Sequence, residues 1–318
     1  MRLFLPDAAR ARDIDAAVRQ HVAGSLASVA DALAPALPDS RPVLDRLTRA
    51  LRDGPVRPSV VALYSDIVLA ISDEDQAALA TALARAAALD DPASAAPCRA
   101  VTLRDDDIGP GLAESYRRHA DDDPEVALDL APADPAAMAG ATRTLAETMG
   151  LIAAADPELS GELAALVREV VFAGNAGNGP DFGGATTFYL WGASVINIEG
   201  AADPLSLAEA LVHEAAHTRL LGESLGRPLA TNPAAERYAS PLRPDPRPME
   251  GIVHANFVVA RLHHLAGRLF TGSARDARLA ENRERFLAGD EIIMRHATLT
   301  PTGTAIYAAT RDYMLAAG

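Results

Sequence analysis

The stretch His213-Glu214-Ala215-Ala216-His217 carries the residue types and spacing of a metal site. Side chains four apart share one helix face, so both imidazoles can approach one ion. Glu214 projects about 100° away from His213. In hydrolases with this spacing, that carboxylate polarises a metal-bound water. Two histidines and a glutamate also meet this spacing by chance on a polar helix face, so the surroundings decide. Asp203-Pro204 announces a helix, with Asp as N-cap and Pro in the first turn. Apolar residues then recur from Leu205 to Leu220, and Gly222 is the expected stop. Two β-rich runs precede it, 186–190 and 193–198, and predict a hairpin or two successive strands around Trp191-Gly192. Five of the eight histidines lie within 213–264.

Two imidazoles do not complete a site, so a third protein ligand is required. Glu236, in an expected short helix over 233–238, Glu250 and His254 are the candidates, with Glu223 behind them. His254 opens a second long helix that is expected to reach residue 269. A ligand there would set the ion between two antiparallel helices. His263 and His264 are expected at the surface or behind the ligands, while His21, His119 and His296 lie far away in sequence.

The block Ser240-Pro241-Leu242-Arg243-Pro244-Asp245-Pro246-Arg247-Pro248-Met249-Glu250-Gly251-Ile252-Val253-His254 continues as Ala255-Asn256-Phe257-Val258-Val259-Ala260-Arg261. With His213, Glu214 and His217, it resembles the HExxH-motif proteins associated with ribosomally made, modified peptides. Members of that family are described as iron- and 2-oxoglutarate-dependent peptide β-hydroxylases. The resemblance covers residues 168–270 well and the N-terminal half loosely. It implies Fe(II) held by His213, His217 and His254, with 2-oxoglutarate and O2 as cosubstrates and a ribosomally made precursor peptide as substrate. Three protein ligands leave positions for the keto acid and O2. The far carboxylate of 2-oxoglutarate calls for an arginine, whose forked donors match it bidentately. Arg247 and Arg243 lie in the Pro-rich loop, and Arg261 is seven residues beyond His254 on nearly the same helix face. Tyr238 and Ser240 are candidate hydrogen-bonding partners. Glu214 has no water to deprotonate in this scheme, so it is expected to orient a ligand or touch substrate. Imidazole also binds zinc well. That keeps open a Zn(II) metallopeptidase with Glu214 as general base and Glu236 or His254 as third ligand. A third reading is a non-enzymatic helical peptide-binding protein.

The elements that must position these residues are mostly helical. Ala and Leu dominate the 318 residues and aromatics are only 4%, which leans the chain towards helix. The expected fold is α+β and predominantly α-helical. A helical region, 1–167, suited to peptide binding, precedes a metal-binding catalytic region, 168–318, in which a short sheet or hairpin packs on the HExxH helix; one continuous domain can hold both. Helix is expected over 8–53 with a break at Pro35, Pro38 and Pro42, over 73–89 from a cap at Ser72 or Asp73, and over 133–155 and 157–167. Residues 59–70 fit helix or strand, and 99–103 fit a strand. The Gly/Asn-rich run 174–180 lacks the Gly-Lys-Ser/Thr ending of a phosphate loop and reads as a turn or mobile loop, placed to act as a lid. The acidic runs 105–107 and 121–123 lack the alternating spacing of a calcium loop and read as solvated loops or helix starts.

The net charge of −14 disfavours phosphate-backbone binding and adhesion to anionic membranes, so neither nucleic acid nor membrane is an expected partner. Cys98 is the lone cysteine, which excludes an internal disulfide and a cysteine-based zinc or iron–sulfur site. With no basic-then-apolar pattern after Met1 and no run of about 18 apolar residues, neither a secretion signal nor a membrane span is expected. A cytoplasmic protein fits these features.

Overall fold

Acidic caps and prolines divide the chain into helices. The computed structural model describes residues 3–93, 96–121, 128–177, 182–240, 242 and 245–317. It is 68% helical with a small mixed sheet, an α+β fold dominated by helix. The helices are α1 (Ala8–Leu33), α2 (Arg41–Asp53), α3 (Pro58–Ser72), α4 (Gln76–Ala88), α5 (Asp105–Ile108), α6 (Leu112–Ala120), α7 (Pro135–Ala155), α8 (Pro157–Leu166), α9 (Pro204–Ser224), α10 (Met249–Leu269), α11 (Gly272–His296) and α12 (Pro301–Ala316). The strands are β1 (Arg99–Thr102), β2 (Leu130–Pro132), β3 (Glu169–Asn175), β4 (Gly184–Ala185) and β5 (Ala193–Asn197). None of the described helices is long and apolar enough to cross a membrane.

The sheet runs in the order β1-β3-β5-β4. Strands β1, β3 and β5 are parallel, with Val171 of β3 level with Val101 and Val195. Strand β4 lies antiparallel against β5 at one edge, and β2 lies antiparallel along the far end of β3. Helices cover the sheet, which is why Val170-Val171-Phe172-Ala173 is apolar without alternation and fully buried. The apolar core crosses residue 167. Val18, Leu26 and Leu63 pack in one cluster with Leu166, Val171, Trp191 and Val195. A second cluster joins Leu145, Leu163 and Phe172 to Leu211 and Leu265. A third surrounds Leu220, Ile252, Phe257 and Phe286.

The structure decides some local expectations and corrects others. Residues 59–70 are helix in α3. Helix α4 starts later than expected, because Asp75 rather than Ser72 or Asp73 accepts from the Ala77 and Ala78 amides. Of the two runs expected as strands, only 193–197 is one; Phe188–Leu190 forms a 3-10 turn, and the partner strand is Gly184–Ala185. Gly174 and Asn175 extend β3, and residues 178–180 of the expected loop lie outside the described residues. Asp105 opens α5 and caps α6 by accepting from the Gly111 and Ala113 amides; Asp122 and Asp123 lie outside the described residues. The expected helix over 233–238 is a turn ending in a bridge between Tyr238 and Arg247.

Gly222 does not end α9, which runs on to Ser224 and closes with Leu225 in the left-handed region. Its value lies in close approach instead. A Cβ at Gly222 would stand 2.3 Å from Ile14 Cγ2 and 2.6 Å from Trp191 Cη2. Gly222→Ala is therefore expected to overpack the contact between α1 and α9 and cost about 1–3 kcal/mol. Exposed Gly24 in α1 has nothing within 4 Å of the same virtual atom. Gly24→Ala is expected to stabilise by about 0.5–1 kcal/mol. Urea denaturation of the two variants beside the wild type checks both signs.

Candidate metal centre

Asp203 caps α9 by accepting from the Leu205 and Ser206 amides, which fixes where the helix starts and so its rotation. His213 and His217 then lie one turn apart, ring centroids 5.1 Å from each other. Helix α10 brings His254 alongside, its ring stacked on His217 at 5.5 Å. The Nδ1 atoms of His217 and His254 face each other at 3.3 Å. Two nitrogens bound to one ion at about 2.0–2.1 Å stand about 2.9–3.4 Å apart for octahedral to tetrahedral angles. The pair thus has the spacing of two ligands. Among the described residues, no three His, Cys, Asp or Glu side chains already stand as a complete donor set. The third nitrogen requires His213, whose side chain is 35% exposed and has room to turn.

His254 is held from behind. Its Nε2 lies 3.3 Å from Glu250 Oε1, one turn earlier on α10. The Glu250 carboxylate is itself fixed by the backbone amides of Leu229, at 3.0 Å, and Ala230, at 2.9 Å. Burial alone would raise the Glu250 carboxyl, but the hydrogen bond from His254 and these amides hold it below its ordinary value. Glu250 is therefore anionic and turns the Nε2 edge of His254 towards itself, which directs Nδ1 towards His217. Glu250, a candidate ligand on spacing alone, stands behind the His254 ring instead. Its i, i+4 relation to His254 was the available signal.

Burial, with the neighbouring His213 and His254, holds His217 well below the ordinary imidazole value, so it is neutral and able to ligate. Glu214 is buried beside β4, with Oε2 accepting from Thr186 Oγ1 at 2.7 Å and Oε1 lying 3.9 Å from His213 Nε2. Burial raises its carboxyl; His213 and Thr186 only partly offset this. Gly184 makes room for it, since a Cβ there would stand 2.5 Å from Glu214 Oε1. Nothing in the sequence pointed to Thr186. The donor set, imidazoles with one ring oriented by a carboxylate, fits a divalent transition metal such as Fe(II) or Zn(II).

The other predicted residues separate by what they bond. Glu236 is exposed in a turn and accepts from the Tyr238 hydroxyl. Glu223 receives Arg10 and Arg219, so it is a structural anion rather than a ligand. Arg261 corrects an expectation. It is 2% exposed, and its two terminal nitrogens are committed to the Phe4 carbonyl and to Glu162. Side-chain length lets it reach across to α8, so sharing a face with His254 did not give it a free fork. Arg247 is half-buried before the first turn of α10 and pairs with Asp245 at 3.3 Å. Arg243 lies outside the described residues. His263 and His264 are not surface residues: both are buried, and His264 Nε2 meets Asp156 at 2.7 Å. Two surface depressions, of about 460 Å3 beside Arg85 and Arg117 and about 450 Å3 beside Glu147 and Glu199, are lined by none of the three histidines.

No family model matches the chain, and a search of curated proteins returns no significant match.

Two outcomes are expected. Glu250→Ala should weaken divalent-metal binding about 10–100-fold while leaving the fold intact, as read by competition with a chromogenic chelator. Burial lowers both His263 and His264 in the folded chain. As pH falls through about 6.5, the unfolded chain binds those protons first. The metal-free protein should hold its full stability above that pH and lose it towards pH 5. Urea midpoints at pH 7.5, 6.5 and 5.5 should fall in that order; a flat series would contradict the burial of these rings.

Proposed function

We propose that the chain is an Fe(II)- and 2-oxoglutarate-dependent oxygenase that hydroxylates a side-chain β-carbon of a ribosomally made peptide in the cytoplasm. The observation that carries the metal reading is the 3.3 Å approach of His217 Nδ1 to His254 Nδ1, with the His213 ring beside them. The choice of iron and of a peptide substrate rests on the resemblance of the 213–217 and 240–261 blocks to the peptide β-hydroxylases. Fe(II), when bound, supplies oxidation of the substrate by O2 coupled to conversion of 2-oxoglutarate to succinate and CO2. The chain's own part is positional. His213, His217 and His254 would hold the ion. Glu250 fixes the His254 ring. Arg247, which pairs with Asp245 at 3.3 Å, is the candidate for the far carboxylate of 2-oxoglutarate, which its forked donors match. The helices before residue 167 are the candidate surface for the peptide.

One observation favours a second reading, a Zn(II) metallopeptidase. Glu214 is a buried carboxylate with a raised pKa beside His213, which suits a general base. Anaerobic loading with Fe(II) and 2-oxoglutarate, followed by oxygen and a candidate precursor peptide, separates the two. The oxygenase gives succinate and a mass gain of about 16 Da, one oxygen atom. Glu214→Gln keeps part of that activity, and His254→Ala abolishes it. Stoichiometric zinc with peptide cleavage that Glu214→Gln abolishes would establish the peptidase instead.

A further inference from the structure

Glu162 of α8 is fully buried between two buried arginines, Arg219 of α9 and Arg261 of α10. Arg219 Nη1 donates to Glu162 Oε2 and Arg261 Nη2 donates to Oε1, so each carboxylate oxygen takes one helix. Arg219 follows His217 by two residues and Arg261 follows His254 by seven. The same group is tied outwards. The Asp7 amide donates to Glu162 Oε2 at 3.2 Å, Arg219 Nε donates to Glu223 at 3.1 Å, and Arg261 Nη1 donates to the Phe4 carbonyl at 2.8 Å.

A buried Arg–Glu–Arg group is a poor device for stability alone. Desolvation consumes most of the Coulombic gain, and apolar side chains of like volume commonly do as well or better. Here Arg219 Nη2 and Arg261 Nε are buried with no hydrogen-bond partner among the described residues, which adds to the cost. What apolar packing does not give is direction. A carboxylate with one guanidinium on each oxygen admits few relative rotations and translations of the two helices it joins. Those are the variables that decide whether His217 and His254 meet.

We propose that Glu162 is a positioning residue: by holding Arg219 and Arg261 it sets the register of α9 against α10 and thereby the spacing of the metal-binding imidazoles. This rests on the reading that His213, His217 and His254 bind one metal. It assigns no contact with metal or substrate to the three buried charges.

The test replaces the group with apolar side chains, Glu162→Leu, Arg219→Met and Arg261→Met together, in the full chain. Metal-free thermal unfolding reports the fold, and Co(II) titration against a chelator reports affinity, with the visible Co(II) spectrum reporting ligand geometry. The expected result is a melting temperature at or above the wild-type value, Co(II) affinity at least about 10-fold weaker, and an altered spectrum. A folded triple variant with wild-type affinity and spectrum overturns the proposal. If the triple variant does not fold, Glu162→Gln is measured at a temperature where circular dichroism shows it folded. Weakened binding there supports the proposal, and wild-type binding overturns it. His254→Ala is the control. If wild type takes up no Co(II), or His254→Ala binds it as wild type does, the metal reading falls and this inference with it. Loss in His254→Ala without loss in the charge variants overturns the positioning role alone.

Discussion

The approach of His217 on α9 to His254 on α10 is the contact on which the candidate centre depends. The two rings sit on separate helices, 37 residues apart in the chain. Their meeting therefore depends on packing between helices and on the polar ties behind them. Helix packing by apolar ridges and grooves leaves tolerances of many degrees. An ion held by both rings tolerates a few tenths of an ångström. The gap between these tolerances is filled by directional groups: Glu250 on its two amides behind His254, and the Arg219–Glu162–Arg261 group linking the two helices to α8.

The small sheet serves the same end. Strand β4, at the edge beside β5, carries Gly184 against the Glu214 carboxylate, and Thr186 just beyond it donates to that carboxylate. Helix α9 is thus fixed on one side by the sheet edge and on another by α1, where Gly222 admits Ile14 and the Trp191 ring. Trp191 Nε1 donates to buried Asp15, so the tryptophan that packs on α9 is also tied to α1. The helices before residue 167 are in this way part of the frame around the motif helix. That agrees with an apolar core that draws on both sides of that residue.

The start of the motif helix and the presence of His213, His217 and His254 on helices were legible because those signals are local. An Asp-Pro N-cap, an i, i+4 repeat and a long apolar period do not depend on the rest of the chain. Glu250 was legible as a carboxylate of interest, but its role was not, because the role is set by the Leu229 and Ala230 amides some twenty residues earlier in the chain. Arg261 misled for a related reason. Helical spacing gives the direction of Cβ, while a long flexible side chain chooses its partner from whatever lies within reach.

By itself, the amino-acid sequence determined the helix-rich α+β class, the capped helix that presents two imidazoles on one face, and the acidic net charge. These are properties of composition and of short windows, where backbone propensity and periodicity decide. Tertiary structure alone decided which third histidine stands against His217, which carboxylate orients it, and which arginines are consumed in the interior. Those outcomes depend on contacts between residues 20 to more than 250 positions apart, from Glu250 with Ala230 to Arg261 with Phe4, and only the packed chain brings such groups within bonding distance.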